Sequence, residues 1–127
     1  MKLSISPQFS DSRGTITDLL VGESIDAITQ ITFSVGAVRA NHFHKFTTQW
    51  TYVVSGDVSY VSRTSDGVRS DEVLPPGSMV VSKPNEAHAF QAMTEAVIFV
   101  FTKGPRAGFD YEKDTFRLET PLIEIVK

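Results

Sequence analysis

Short stretches of alternating apolar and polar residues recur along most of this chain. From Ile25 to Val35, the residues that suit a buried face fall at every second position, and His88, Phe90 and Ala92 repeat the spacing. A period of two is typical of a β-strand with one face buried. Gly- and Pro-containing turn segments separate such stretches every 8–12 residues or so, and no sustained helical period occurs before residue 105. The pattern predicts an all-β sandwich or barrel.

Three segments carry more specific expectations. Leu3 to Pro7 is predicted to be a short strand at a sheet edge, because proline lacks the N–H that an inner strand needs. Thr15 to Leu20 follows a turn cluster and is predicted to be a second strand. Ala96 to Thr102 is nearly all apolar, so both of its faces should be covered.

The stretch from Gly36 to Gly56 contains two of the three histidines of the chain. His42 and His44 are two residues apart, which on an extended strand places both imidazoles on one face. Two imidazoles so placed can bind one metal ion or act on one substrate atom. Gln49 follows, and then a strongly β-forming run that a turn ends at Gly56. This stretch is the best candidate for a functional site.

The stretch resembles the first motif of the cupin superfamily, and a later segment resembles the second. The residues that match the two motifs are Gly36, His42, His44, Gly56, Gly77, Pro84 and His88. Gln49 stands where the first motif has Glu, and Glu86 where the second usually has Gly. The resemblance implies a cupin-type double-stranded β-helix, or jelly-roll barrel. Residues 1–127 are expected to form one such domain, with 104–127 as a C-terminal arm.

All three histidines fall at the metal-ligand positions of the family. The resemblance therefore implies a metal site built from His42, His44, His88 and Gln49. The chain has no cysteine, so only N and O donors are available, and a divalent transition ion such as Zn, Ni, Fe or Mn is expected. Gln49 should weaken the site, because a carboxamide brings no charge. The preferred function is an enzyme that isomerises or epimerises a small carbohydrate or carbonyl compound inside the barrel.

Two alternatives stay open. A Gln after a His-x-His-Lys run is similar to the nucleotide-sugar 3,4-ketoisomerases, which work without a metal, and His42 and His44 would then act as acid and base. The chain also resembles small stand-alone cupins of sugar-nucleotide and polysaccharide pathways, which share an Asn-His-x-His-Lys signature and a Gly-Pro-Arg…Tyr-Glu-x-Asp-Thr tail. A non-catalytic sugar-binding or regulatory cupin is the third possibility.

Cations near the histidines and in the arm are candidate substrate ligands. Arg39 and Lys45 could hold a phosphate or carboxylate, or simply form a solvated strand end. Gln49 could bind substrate through its amide. The arm either packs its large apolar groups over the barrel or forms a flap in which Arg106 or Arg117 binds an anionic group.

The net charge and the hydropathy of the chain limit the kinds of partner that are expected. The net charge of −3, with scattered Lys and Arg, argues against nucleic acid. No apolar run approaches the ~20 residues that span a bilayer, and no signal-peptide core is visible, so a soluble cytoplasmic protein is expected. Trp50, Tyr52 and Val54 form an apolar strand face. This face, or the N-terminal edge strand, is expected to be covered in a homodimer.

Overall fold

The computed structural model describes residues 1–105 and 112–125, and twelve strands lie within these ranges. The strands are β1 (Lys2–Leu3), β2 (Phe9–Asp11), β3 (Gly14–Ile16), β4 (Ala27–Phe33), β5 (Val38–Phe43), β6 (Thr48–Ser55), β7 (Val58–Arg63), β8 (Arg69–Leu74), β9 (Met79–Ser82), β10 (Ala87–Ala92), β11 (Ala96–Lys103) and β12 (Phe116–Arg117). In the same ranges, no helix is long and apolar enough to cross a membrane.

Two five-stranded antiparallel sheets face each other across an apolar core. The first sheet has the order β1-β9-β6-β11-β4 and the second the order β12-β5-β10-β7-β8, while β2 and β3 form a separate hairpin. The side chains of the main core come from both sheets: Phe33, Val53, Val58, Tyr60, Leu74, Val80, Phe90, Ala92, Ala96, Ile98 and Val100. From β4 onward the chain crosses to the other sheet after every strand except in the β7–β8 hairpin, as in a jelly roll. The all-β jelly-roll prediction is confirmed, with two open layers rather than a closed barrel.

Strand bounds differ most from the predictions near the N-terminus. The strand predicted from Leu3 to Pro7 is reduced to β1, which does lie at a sheet edge and pairs only with β9. The strand predicted from Thr15 to Leu20 contributes only its first two residues to β3. Here the turn at residues 12–13 folds β3 back onto β2, so the segment pairs locally instead of joining a sheet.

The outer face of the first sheet is covered by the N-terminal segment of the same chain. Trp50 is only 7% exposed. Apolar side chains of the N-terminal segment pack around Trp50 and Tyr52, and they belong to Leu3, Ile5, Leu19, Leu20 and Ile25. The apolar face that was expected to need a partner is therefore largely covered within the chain, although Val54 stays 39% exposed. Homodimer formation remains a prediction.

Gly56, the last residue of the first sequence motif, marks a close backbone approach. Its φ angle is +81°, and a Cβ at this position would overlap the carbonyl oxygen of Glu95. Both facts favour glycine, which has no Cβ and adopts positive φ without strain. The motif glycine thus allows the β6–β7 turn to pack against the start of β11.

Candidate functional site

A cavity of about 550 Å³ opens between the two sheets. Most of its lining side chains are apolar, and the polar residues at its wall are Arg39, Asn41, His42, Gln49, Thr115 and Arg117. Small-molecule sites usually measure about 300–1,000 Å³ and combine apolar walls with a few polar groups. The cavity therefore has the size and lining of a ligand site, and it is shared by four candidate site residues from the sequence analysis: Arg39, His42, Gln49 and Arg117.

Three buried imidazoles cluster next to the cavity, and one of them, that of His42, lines it. His42, His44 and His88 are 7%, 2% and 1% exposed. Their ring centroids lie 4.7 Å apart for His42 and His44, 4.8 Å for His42 and His88, and 5.5 Å for His44 and His88. One nitrogen of each ring lies within 4.8 Å of those of the other two. The structure thus brings together the histidines of both sequence motifs.

Backbone carbonyl groups orient two of the rings. Nδ1 of His44 lies 2.8 Å from the carbonyl oxygen of Asp114, and Nδ1 of His88 lies 3.3 Å from that of Glu86. Because a carbonyl oxygen only accepts, each Nδ1 carries a proton and donates, and each Nε2 keeps its lone pair. Within residues 1–105 and 112–125, no donor reaches the buried Nε2 of His88.

The histidine cluster has the donor chemistry of a metal site. Burial, followed by the proximity of His42 and His44, holds the pKa of His88 well below its ordinary value of 6.5. The ring is therefore neutral at pH 7, which is the form that binds a metal ion. Three buried imidazole nitrogens suit a divalent transition ion such as zinc, nickel, iron or manganese. The fourth predicted ligand, Gln49, lies at the cavity wall, and its amide nitrogen donates to Oγ1 of Thr51 at 3.1 Å.

The lowered pKa of His88 predicts that the metal-free protein loses stability in mild acid. Below 6.5, the ordinary pKa, the unfolded chain takes up a proton that the folded protein does not. The unfolded state is then favoured, so the free energy of unfolding is highest above that pH and declines as the pH falls toward the folded-state pKa. Urea denaturation in the presence of a chelator should reveal this decline. It should be shallower in His88→Gln, and an equally steep decline in that variant would contradict the prediction.

A β-bulge in β5 places Arg39 and His42 on the same face. Residues three apart on a regular strand point to opposite faces. At Asn41, which has a φ angle of +56°, the register between β5 and β10 shifts. His42 consequently pairs with His88, while Arg39 pairs with the core residue Phe90. Since directly paired residues share a face, both side chains lie on the face that lines the cavity, where His42 is buried and Arg39 is exposed.

The C-terminal arm adds a second arginine to this wall. Within β12, Arg117 pairs directly with His42 of β5 and lines the cavity. The neighbouring Phe116 stacks on Phe43, with 5.2 Å between ring centroids. The described part of the arm therefore packs against the body and also forms cavity wall, while its role as a flap that binds an anionic group stays a prediction. Arg106 lies outside the described residues, as do residues 107–111.

Lys45 is not among the residues that line the cavity. Its ammonium nitrogen lies 4.5 Å from the centroid of the Phe116 ring, a cation–π contact between the loop after β5 and the arm. The side chain is exposed. The structure therefore gives Lys45 a contact with the arm, and its role as a substrate ligand stays a prediction.

Asp114 anchors the arm to the loop that follows β5. The residue is only 2% exposed. Its carboxylate accepts hydrogen bonds of 2.7–3.1 Å from the backbone N–H groups of Lys45 and Phe46 and from the hydroxyl of Thr47. Its backbone carbonyl also orients His44. No local pattern in the sequence points to a role for this residue, and its one sequence signal is its place in the Tyr-Glu-x-Asp-Thr tail.

Asn41 holds a later part of the arm. Its side-chain oxygen accepts from the backbone N–H groups of Leu122 and Ile123 at 2.9 and 3.1 Å, and its Nδ2 donates to the Ile123 carbonyl at 2.9 Å. Its backbone carbonyl accepts from the N–H of Leu118 at 3.0 Å. Sequence reasoning also left Asn41 without a role, although it opens the Asn-His-x-His-Lys signature.

Comparisons with known proteins agree with this geometry. A family model described as Cupin matches residues 22–110. Similar solved structures include dTDP-4-dehydrorhamnose 3,5-epimerase from Sulfolobus tokodaii, which is 17% identical with a TM-score of 0.72, over 90% of this chain and 72% of that one. The rmlC epimerase of Mycobacterium tuberculosis is 15% identical with a TM-score of 0.75, over 90% of this chain and 66% of that one.

A third similar structure is QdtA, a sugar 3,4-ketoisomerase from Thermoanaerobacterium thermosaccharolyticum, in complex with TDP. It is 19% identical with a TM-score of 0.73, over 93% of this chain and 85% of that one. At these identities, the three structures show a shared fold. The comparison with curated protein sequences found no match.

Proposed function

Because the chain belongs to the cupin family, we propose that it is an isomerase or epimerase that moves a proton within a nucleotide-linked keto sugar. The observation that carries the proposal is the cavity wall on which His42 lies beside Arg39 and Arg117. An acid–base group and two cations on one wall suit a substrate with a reactive carbonyl and an anionic group. The nucleotide-sugar enzymes among the similar structures support this substrate class.

The two guanidinium groups bind the anionic part of the substrate. Arginine forms paired, charge-assisted hydrogen bonds with phosphate oxygens. The guanidinium carbon of Arg39 lies 5.3 Å from the centroid of the Phe33 ring, and its Nη2 donates to the Thr32 carbonyl at 3.2 Å. These contacts hold the guanidinium at the wall, so a diphosphate bound there would leave the sugar near His42.

His42 transfers the proton. Imidazole suits this role because its ordinary pKa lies near neutrality. The ring takes a proton from the carbon beside the substrate carbonyl, and the released electron pair forms an enediolate. After exchange with solvent on the imidazole, a proton is delivered to the former carbonyl carbon. The neighbouring hydroxyl group passes its own proton to the former carbonyl oxygen and becomes the new carbonyl. For isomerisation a single base on one wall suffices, because one carbon loses its proton and the other gains one on the same face. Epimerisation would in addition need a proton donor on the opposite face of the sugar.

A metal-dependent form of the reaction is the second candidate. It is favoured by the three converging imidazoles and by the buried Nε2 of His88, which no donor within the described ranges reaches. His42, His44 and His88 would hold a divalent ion, which would polarise the substrate carbonyl and acidify the adjacent C–H bond. The carbonyl groups of Asp114 and Glu86 keep the rings of His44 and His88 in the orientation that ligation requires.

Proton NMR in deuterium oxide tests the proposed reaction. Untagged protein is incubated with a TDP-linked 4-keto sugar, and deuterium incorporation and the carbonyl position are followed. Deuterium beside a carbonyl that has moved indicates isomerisation. Deuterium beside an unmoved carbonyl, with inverted configuration, indicates epimerisation. If TDP binds but no deuterium is incorporated and the carbonyl does not move, with or without added zinc, nickel, iron or manganese, the chain is a binding protein and the enzymatic proposal is wrong.

A further inference from the structure

Asn41 connects three parts of the cavity wall. It lies in the bulge between Arg39 and His42 and is itself part of the lining. Its side chain makes three hydrogen bonds to the backbone of residues 122–123, and its backbone carbonyl accepts from Leu118 directly after Arg117. The same residue therefore contacts both the strand that carries the base and the arm that carries the second arginine.

Resting on the function proposed above, we propose that Asn41 is a positioning residue, which places Arg117 against the substrate by fixing the arm to the bulge of β5. Arg117 belongs to a strand of only two residues at the edge of the second sheet. So short an edge strand has few ladder hydrogen bonds of its own, and its register depends on bonds made further along the arm. Asn41 supplies these bonds from the residue next to His42.

The bulge explains why asparagine suits this position. The φ angle of +56° lies in the left-handed region, where asparagine is tolerated better than most residues. Glycine adopts the same backbone conformation but lacks the amide group. Asn41→Gly therefore keeps the bulge, and with it the common face of Arg39 and His42, while removing the bonds to the arm. Leu122, which is 7% exposed, keeps its apolar contacts, so the arm should stay on the body but lose its fixed register.

The binding test uses TDP and isothermal titration. Asn41→Gly should weaken TDP binding by roughly tenfold, the scale of one hydrogen bond to a charged group. Arg117→Ala should weaken it by a similar factor, and the double variant by little more than either single one, because both changes remove the same contact. Cobalt binding at the three histidines should be unchanged in Asn41→Gly. Losses that multiply in the double variant would show that Asn41 does not act through Arg117 and would overturn the proposal.

Hydrogen exchange tests the same proposal without a ligand. In Asn41→Gly, the amides of Leu122 and Ile123 should exchange faster, whereas that of Leu118 keeps its backbone acceptor. Asn41→Asp retains a side-chain oxygen and should keep the amides of residues 122–123 protected. The matched control is Asn85→Gly, because Asn85 also has a positive φ, 68°, and its side chain is exposed. That variant should leave the arm unchanged.

The outcomes separate the two proposals. If the wild-type protein does not bind TDP, the substrate class proposed above is wrong, and the exchange data still decide whether Asn41 fixes the arm. If the wild-type protein binds TDP and Asn41→Gly binds it equally well, the proposed function stands and the positioning role of Asn41 is wrong. Unchanged exchange of Leu122 and Ile123 in Asn41→Gly would overturn that role in either case.

Discussion

Replacing His42 by Asn is expected to slow proton transfer by about 10²–10⁴-fold, the usual contribution of a positioned general acid–base group. His42 is the member of the histidine cluster that lines the cavity. The asparagine amide keeps a polar group at the wall but does not take up a proton near neutral pH. Arg39 and Arg117 remain, so TDP affinity should change little. The measurement is the rate of deuterium incorporation at saturating substrate, and a rate within threefold of wild type would contradict the role of His42.

His88→Ala is the variant that distinguishes the metal-free from the metal-dependent form of the reaction. His88 is 1% exposed and does not line the cavity, so its removal leaves the wall intact. If a metal is required, this variant should lose both bound metal and activity, and prolonged chelation of the wild-type protein should have the same effect. If no metal is required, both treatments should be mild. Equal activity of metal-free and metal-loaded protein, together with a wild-type rate in His88→Ala, would exclude the metal-dependent form.

Asp114→Ala is expected to lower the free energy of unfolding by roughly 3 kcal/mol, because it leaves buried donors without an acceptor. The carboxylate is 2% exposed and accepts from three successive residues after His44. Without it, the loop and the arm lose their main polar link. The measurement is urea denaturation at pH 7, and TDP affinity should fall as well, since the arm carries Arg117.

Two controls identify the cause of this loss. Asp114→Asn keeps one acceptor oxygen in nearly the same shape and should lose about half as much stability. Asp18→Ala removes an exposed carboxylate and should stay within about 0.5 kcal/mol of wild type. If Asp114→Ala were as stable as Asp18→Ala, the carboxylate would not anchor the arm.

The parts of the structure that local pattern determines could be predicted from the sequence. Alternation placed Phe90 and Ala92 on a buried face, and both lie in the core. The spacing of His42 and His44 predicted neighbouring imidazoles, and their rings are 4.7 Å apart. Gly56 marked a turn because a tight backbone approach leaves few other choices of residue.

Features that depend on pairing between residues far apart in the sequence could not be predicted. Regular alternation would separate Arg39 from His42, and only the register shift against β10 brings them to one face. Asp114 stands in a polar tail with no local pattern, and its importance arises from donors in the loop after β5. The sequence also did not show that the N-terminal segment folds back over the strand of Trp50 and covers its outer face within the chain. A segment that contains only short edge strands, such as this N-terminal one, shows little hydrophobic periodicity in its sequence.

The contacts of the arm also determine the order in which the protein can become functional. Asn41 and Ile123 are 82 positions apart, and Lys45 and Asp114 are 69 apart. Contacts at such separations form late in folding, because closing the long loop between the two residues costs conformational entropy before the contact contributes any stabilisation. On the ribosome, the segments that carry the three histidines emerge before the arm. A nascent chain can therefore assemble its two sheets and gather its imidazoles while the cavity still lacks the wall that contains Arg117, so recognition of an anionic ligand is acquired last.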